Sequence, residues 1–234
     1  GMRVLDIGCG WGGLGLYLNR HFGCEVLGVS LAPDQVKFAQ ERAAAAGVAD
    51  KVKFQLIDYR DVTGQFDRIT SVGMFVHVGI GHLPAYFARI RELLVPDGWA
   101  MNHGITSTDA HDGEVALGGG GFIERYVFPQ GELPHIGTLL RCLQQGGLEA
   151  FDVENLRRHY ARTLACWSDN YERQQPAIRA LVSETTYRVW RIYLAGCSHA
   201  FSQNWVSIYQ VLACKAGSGD ALNPTPWSRA YMYP

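Results

Sequence analysis

The chain has 234 residues, of which 47% are hydrophobic and 18% charged, and a formal net charge of −1. That apolar fraction suffices for one sizeable core and excludes intrinsic disorder. The near-zero charge argues against a nucleic-acid binder held by a broad basic surface and gives no general attraction to anionic lipid, though it leaves room for a local basic patch.

The chain opens abruptly. Gly1-Met2-Arg3 runs straight into Val4-Leu5-Asp6-Ile7, a buried-strand pattern, which suggests that an N-terminal segment is missing. Residues 3–7 form the first predicted strand. The glycine-rich turn Gly8-Cys9-Gly10-Trp11-Gly12-Gly13 follows, then a helix over Leu14–Phe22. Glu25–Val29 reads as a second strand. Ser30 is placed to cap the next helix, Pro33 falls in its first turn, and Gly47 ends it. Val36, Phe38, Ala39 and Ala43 give that helix one buried face. Lys51–Leu56 and Phe66–Val72 are the third and fourth strands, Leu83–Leu94 is helical, Pro96-Asp97-Gly98 is a turn, and Trp99–His103 is the fifth strand.

The second half changes character. Gly113–Gly121 is a glycine-rich loop, His135–Gln145 a helix stopped by Gly146-Gly147, and Ala150–Glu154 a sixth strand. Residues 156–202 read as two long helices broken near Pro176, and Trp205–Cys214 as the last strand. Strand–helix alternation with short connections predicts an α/β fold: a doubly wound, mostly parallel, seven-stranded Rossmann-like sheet with a helical insertion before its last strand. One domain spans 1–217, and 218–234 is a proline-containing tail. The six cysteines, Cys9, Cys24, Cys142, Cys166, Cys197 and Cys214, form no CxxC pair and lie near no histidine at zinc-finger spacing. They read as reduced packing residues of a cytosolic protein. No apolar run reaches membrane-spanning length and no signal peptide is visible.

Gly8, Gly10 and Gly13 satisfy the G-x-G-x-x-G spacing of dinucleotide sites, so spacing alone discriminates poorly. A dinucleotide site usually has an acid ending its second strand, whereas Gly28-Val29-Ser30 ends it here. The acid instead is Asp6, just before the glycines. A carboxylate there suits a cationic ligand, or the water and amide groups around one. The order V-L-D-I-G-C-G-x-G resembles motif I of class I S-adenosylmethionine-dependent methyltransferases.

The whole string Val4 to Gly13 is similar to the cyclopropane-fatty-acyl-phospholipid synthase family, which includes the mycolic acid cyclopropane synthases. Further segments agree in order: Asp58-Tyr59-Arg60-Asp61, Ser71-Val72-Gly73-Met74-Phe75, His77-Val78-Gly79, Tyr126-Val127-Phe128-Pro129, His159 to Leu164, and Trp190 to Ala195. The resemblance covers nearly all of residues 1–215. It implies methyl transfer from S-adenosylmethionine to an isolated cis double bond of an acyl chain in a phospholipid. A carbocation forms, and loss of a proton from the new methyl closes a cyclopropane ring, with bound bicarbonate as base. The implied partner is an unsaturated acyl phospholipid at a membrane surface, with the protein peripheral to the inner, cytoplasmic face. The resemblance leaves room for a homodimer and implies neither nucleic acid nor metal.

Carried over by position, Asp6 and Ser30 belong with the cofactor-binding residues, and Gly8, Gly10 and Gly12 would lie against the methionine part of the cofactor. Gln35 would bond the ribose, standing in for the usual acid, and Asp58, Tyr59 and Arg60 would frame the adenine. His103, Ile105 and Tyr160 would be the catalytic residues around bicarbonate. Without the resemblance, Gln35 reads by preference as a solvated polar residue at a helix start and Arg60 has the plain reading of a surface charge, while His103 reads equally as a satisfied core histidine and Tyr160 as part of a packing stripe with Leu164, Trp167 and Tyr171.

Two departures stand out. The family's Phe-Glu-His-Val-Gly is Phe75-Val76-His77-Val78-Gly79 here, so an anion-holding acid is replaced by Val76. The family's bicarbonate-contacting cysteine lies upstream of Val4, and none of the six cysteines takes its place. Aromatic residues of the insertion (Tyr160, Trp167, Tyr171, Tyr187, Trp190, Tyr193, Phe201), with Phe122, Tyr126 and Phe128, supply candidate walls for a dry pocket able to stabilise positive charge. A small-molecule N-methyltransferase and a non-catalytic cofactor-binding relative or inactive fragment stay open as alternatives.

Overall fold

A computed structural model of the protein describes residues 1–110, 119–129, 131–215 and 227–232. Strand β1 (Arg3–Ile7) alternates its side chains between two hydrophobic layers. Val4 joins the layer beneath α1 (Gly13–Phe22) and α2 (Pro33–Ala45), with Val26, Val36, Ala39 and Phe54. Leu5 and Ile7 join the larger layer beneath α3 (Leu83–Leu93) and α5 (Ile136–Gln145), with Ile69, Phe87, Ile90 and Leu139. Strands β2 (Glu25–Ser30), β3 (Val52–Leu56) and β4 (Phe66–Val72) extend the sheet, all parallel to β1.

With β5 (Leu94–Ser107), β6 (Leu148–Asn155) and β7 (Val206–Lys215) the sheet has seven strands in the order β3-β2-β1-β4-β5-β7-β6. Only β7 runs against the direction of the other six strands. The chain moves outward from β1 to β3 and returns to β4 beside β1, so a topological switch point lies at the carboxyl ends of β1 and β4. Open α/β sheets bind ligands there. On the α1 side, beyond β1, the sheet carries a groove of about 400 Å³ lined by residues including Phe22, Trp99, Met101 and Leu212.

The expected sheet and its insertion are present, with three differences of detail. Strand β5 begins directly at the end of α3. Phe66 pairs with Leu94 and Arg68 with Trp99, so Pro96-Asp97-Gly98 is a bulge inside the strand. Proline has no N–H for the ladder, and the bulge takes it out of register. Strand β5 also runs past His103, because β7 pairs with it as far as Ser107. The insertion holds three helices: α6 (Arg157–Arg173), α7 (Gln175–Leu181) and α8 (Glu184–Ser202). Pro176 sits in the first turn of α7, where its missing N–H costs nothing. Ser183 caps α8 by accepting from the Thr186 N–H at 3.1 Å.

The expected glycine-rich loop at 113–121 overlaps a short helix, α4 (Gly119–Tyr126), and residues 111–118 lie outside the described residues. Of the expected tail, residues 218–226 and 233–234 also lie outside them; Arg229–Met232 is one 3₁₀ turn, and Arg229 pairs with Asp152 of β6. All six cysteines are free thiols. Among the described residues no helix is long and apolar enough to cross a membrane.

Candidate functional site

The turn from β1 to α1 doubles back on β2. The N–H groups of Gly8 and Cys9 both donate to the Val29 carbonyl, at 2.9 and 3.0 Å. Gly8, Gly10 and Gly12 have φ of 79°, 53° and 77°, a left-handed conformation that side chains resist. Their surroundings differ. A Cβ at Gly12 would lie 2.7 Å from the Phe54 ring and one at Gly8 3.0 Å from Met74, whereas one at Gly10 would meet nothing within 4 Å. Gly8 and Gly12 are therefore packed from behind, and Gly10 faces open space at the switch point. The turn is tied to α2 by Arg42, which donates to the Trp11 carbonyl at 2.8 Å.

Asp6 is 2% exposed. Its Oδ1 accepts from the Thr70 hydroxyl of β4 at 2.9 Å, and its Oδ2 has no hydrogen-bond partner among the described residues. Burial pushes its pKa up to about 6, partly countered by the Thr70 bond. An orphaned buried carboxylate oxygen beside an open glycine turn is a place prepared for a donor group or a cation. Thr70 carries no local sequence signal beyond being polar within an apolar strand.

At the end of β2, Ser30 does not cap α2 in the expected way. Ala32 holds the N-cap position, and the Ser30 hydroxyl accepts from the Ala32 N–H at 3.2 Å. The chain turns two residues later than the expected cap requires. The same hydroxyl donates to Gln35 Oε1 at 3.3 Å, so these two predicted cofactor residues are neighbours. Beyond β3, Asp58 starts a 3₁₀ turn by accepting from the Arg60 N–H. The Arg60 guanidinium forks both Asp58 oxygens, at 2.9 and 2.6 Å, and holds that carboxyl below its usual range. Tyr59 stands edge-on to buried Tyr86, with ring centroids 5.5 Å apart. All nine predicted cofactor residues thus lie in or beside three successive connections at the carboxyl end of the sheet.

The predicted catalytic residues fall further along the same end. His103 and Ile105 share one face of β5. Ile105 and Tyr160 belong to one apolar cluster with Leu164, Leu194 and Phe201. No contact joins His103 to Tyr160 directly among those described. Burial lowers the His103 pKa, and its Nδ1 has no partner among the described residues. Burial first, then nearby Cys197, raises the Tyr160 pKa, so its hydroxyl stays protonated.

Val76 is packed against the main core, and its carbonyl accepts from the Glu132 N–H at 3.0 Å. Glu132 was not singled out from the sequence. Its Oε2 accepts from the Ile80 N–H at 2.6 Å, so it clamps the loop after β4 through both backbone and side chain. It lies 52 residues from its partner, beyond the reach of any local pattern. From that loop a run of ring contacts reaches the insertion: His77 to Phe128 at 5.8 Å, Phe128 to Tyr193 at 6.0 Å, and Tyr193 to Trp190 at 5.4 Å. Tyr171 and Tyr187 instead stack on each other between α6 and α8 and hold that hairpin together.

Comparisons with known proteins agree with this arrangement. The family model described as mycolic acid cyclopropane synthetase matches residues 1–211. A "Probable fatty acid methyltransferase" of Pseudomonas putida is 45% identical over the whole chain, which covers 59% of that relative. The "Cyclopropane-fatty-acyl-phospholipid synthase" of Escherichia coli is 38% identical over 91% of the chain and 53% of its own length. The chain thus spans little more than half the length of these curated relatives. The solved structure of mycolic acid cyclopropane synthase CmaA1 complexed with SAH and CTAB superposes with a TM-score of 0.85, at 30% identity, over 92% of this chain and 78% of that one. By the extent of these matches and by its strand order, the chain belongs to the mycolic acid cyclopropane synthetase family of class I S-adenosylmethionine-dependent methyltransferases.

Proposed function

We propose that the protein methylates a cis double bond in the acyl chain of an unsaturated phospholipid and closes a cyclopropane ring there. The observation that carries this reading is the juxtaposition of two unlike surfaces at one end of the sheet. One is the open Gly10 turn with the orphaned Asp6 oxygen. The other is the apolar and aromatic wall formed by Ile105, Tyr160, Phe128 and Tyr193. The names of the relatives, a fatty acid methyltransferase and a cyclopropane-fatty-acyl-phospholipid synthase, support a lipid acceptor.

The residues present fit the cofactor. Asp6 Oδ2 lacks a donor, Gly10 leaves room for close approach, and Ser30 and Gln35 offer polar groups beside the end of β2. When bound, S-adenosylmethionine supplies an electrophilic methyl group. Asp6 and the glycine turn would hold its methionine part, Ser30 and Gln35 its ribose, and Asp58, Tyr59 and Arg60 its adenine. On the substrate, the alkene π pair would form the new carbon–carbon bond as the methyl–sulfur bond breaks and its electron pair stays on the departing sulfur, leaving a cation on the adjacent carbon. Tyr160, Tyr193 and Phe128 would exclude water and turn aromatic faces toward that charge. Release of a proton from the transferred methyl then frees the electron pair that closes the ring.

The chain's candidates for holding a base near that proton are neutral His103 and protonated Tyr160, both able to donate to a small anion such as bicarbonate. Val76 contributes no hydrogen bond to that site, and Glu132 is engaged by Ile80. Incubation with methyl-labelled cofactor and phospholipid vesicles tests the reading. Label is expected in vesicles of cis-unsaturated lipid and absent from saturated vesicles, DNA and RNA. Equal labelling of saturated lipid would contradict an alkene acceptor.

A further inference from the structure

The helical insertion carries a charge that the balance of the whole chain conceals. Residues 156–202 contain seven arginines and three carboxylates, while the remainder of the chain is net acidic. Helices α6 and α8 form an antiparallel hairpin. Arg157 donates to the Phe201 carbonyl at one end, and Arg191 pairs with Glu172 toward the other. Their inner stripes, with Tyr160, Leu164 and Leu194, close on Ile105 and Ile208, so the hairpin sits over the carboxyl end of β5, the same end as the site.

The outer stripes are exposed. Arg158, Arg162 and Arg173 recur at helical spacing along α6, and Arg188 and Ile192 along α8. Among the described residues no hydrogen bond or ion pair engages Arg158 or Arg162. At the far tip, Leu181 is 84% exposed and Val182 38%. Arg179 and Arg188 share the single carboxylate of Glu184 beside them. Unpaired arginines and a projecting aliphatic tip add nothing to the packing of the hairpin. Together they match the chemistry of an anionic lipid interface, where aliphatic side chains enter the acyl boundary and arginines meet phosphates.

We infer that the outer face of α6 and α8, with the Leu181–Val182 tip, is the surface by which this protein docks on a membrane containing anionic phospholipid. The inference rests on the lipid-acceptor reading above and deepens it, since the hairpin packs at the same end of the sheet as the proposed site.

Sedimentation with vesicles tests it. The full chain should bind vesicles containing phosphatidylglycerol, release them as salt is raised, and bind pure phosphatidylcholine weakly. The double variant Arg158→Gln/Arg162→Gln should lose about 30-fold in affinity, about 1 kcal/mol per arginine. A second variant, Leu181→Asp, should weaken the binding that survives high salt. Both should unfold at the parent's temperature and methylate detergent-dispersed unsaturated lipid at the parent's rate. Parent-like vesicle binding by both variants would overturn the assignment, as would a change in self-association in place of vesicle binding. If both variants bind as the parent does while dispersed lipid is still methylated, only the docking surface falls. If vesicle binding behaves as expected but no lipid is methylated, the surface stands and the methyl-transfer reading falls.

Discussion

Asp6 sets binding and stability against each other. Its pKa, pushed up to about 6 by burial, exceeds the 3.8 of an unperturbed carboxyl. The folded state therefore holds the proton more tightly than the unfolded state, and the contribution of Asp6 to stability is greatest below about pH 4 and is lost as pH rises through about 6. The shift is worth about 3 kcal/mol at pH 7. Asp6→Asn removes this titration. Denaturant unfolding of both proteins should show the parent gaining about 3 kcal/mol relative to the variant between pH 7 and pH 4. Calorimetry at pH 7 should show the variant binding S-adenosylmethionine more weakly than the parent. At the neighbouring turn, Gly10→Val places its side chain in open space, so the fold should survive. The φ of 53° costs such a variant about 1–2 kcal/mol, and cofactor affinity should collapse because close backbone approach is blocked. Unchanged affinity in a folded Gly10→Val protein would mean the cofactor does not use this turn. Position 76 offers a gain of function. Val76→Glu should raise the rate of ring closure at low bicarbonate by about ten- to hundred-fold, the worth of a charged hydrogen bond. Identical rates and products at every bicarbonate concentration would show that position 76 does not limit the step.

Among the elements, β5 does most to place the predicted catalytic groups. It carries His103 and Ile105, and between them Gly104, where a Cβ would lie only 2.3 Å from the Phe75 ring. The missing side chain lets Phe75, itself fully buried, lie against the strand and anchor the loop that presents Val76 and His77. Gly104→Ala should therefore destabilise the protein by about 1–3 kcal/mol through overpacking. It should lower turnover more than cofactor affinity, as separate kinetic and calorimetric measurements would show. The course of β5 also marks where sequence reading stops. Trp99–His103 was legible as a strand because the turn-like Pro96-Asp97-Gly98 precedes it. The bulge at Pro96-Asp97-Gly98 was not, because pairing with Phe66 on one side and with β7 beyond His103 is decided by distant partners. The break near Pro176 was legible, but the separate helix α7 between two breaks was not, because it is too short for a periodic signal of its own.

At the scale of the whole molecule, the doubly wound, mostly parallel seven-stranded sheet with a helical insertion before its last strand was legible from the alternation of elements, whereas the strand order was not. An acid, three glycines and a helix marked the turn after the first strand, and the observed order sets that turn at a switch point. What stayed hidden was every contact that spans the sheet: the Thr70 bond to Asp6, the Glu132 clamp on Ile80, and the aromatic run from His77 to Trp190. These depend on which strand lies beside which, and no local pattern records that. The same arrangement sets the helical hairpin against the carboxyl end of β5, at the same end of the sheet as the open glycine turn. The most direct test of this account is product analysis after reaction of a cis-unsaturated phospholipid with cofactor carrying a fully deuterated methyl group. A cyclopropane lipid one deuteron short of the methyl supplied is expected, because ring closure expels it. An acyl chain that keeps the whole deuterated methyl, or a lipid fraction with no label at all, would contradict it.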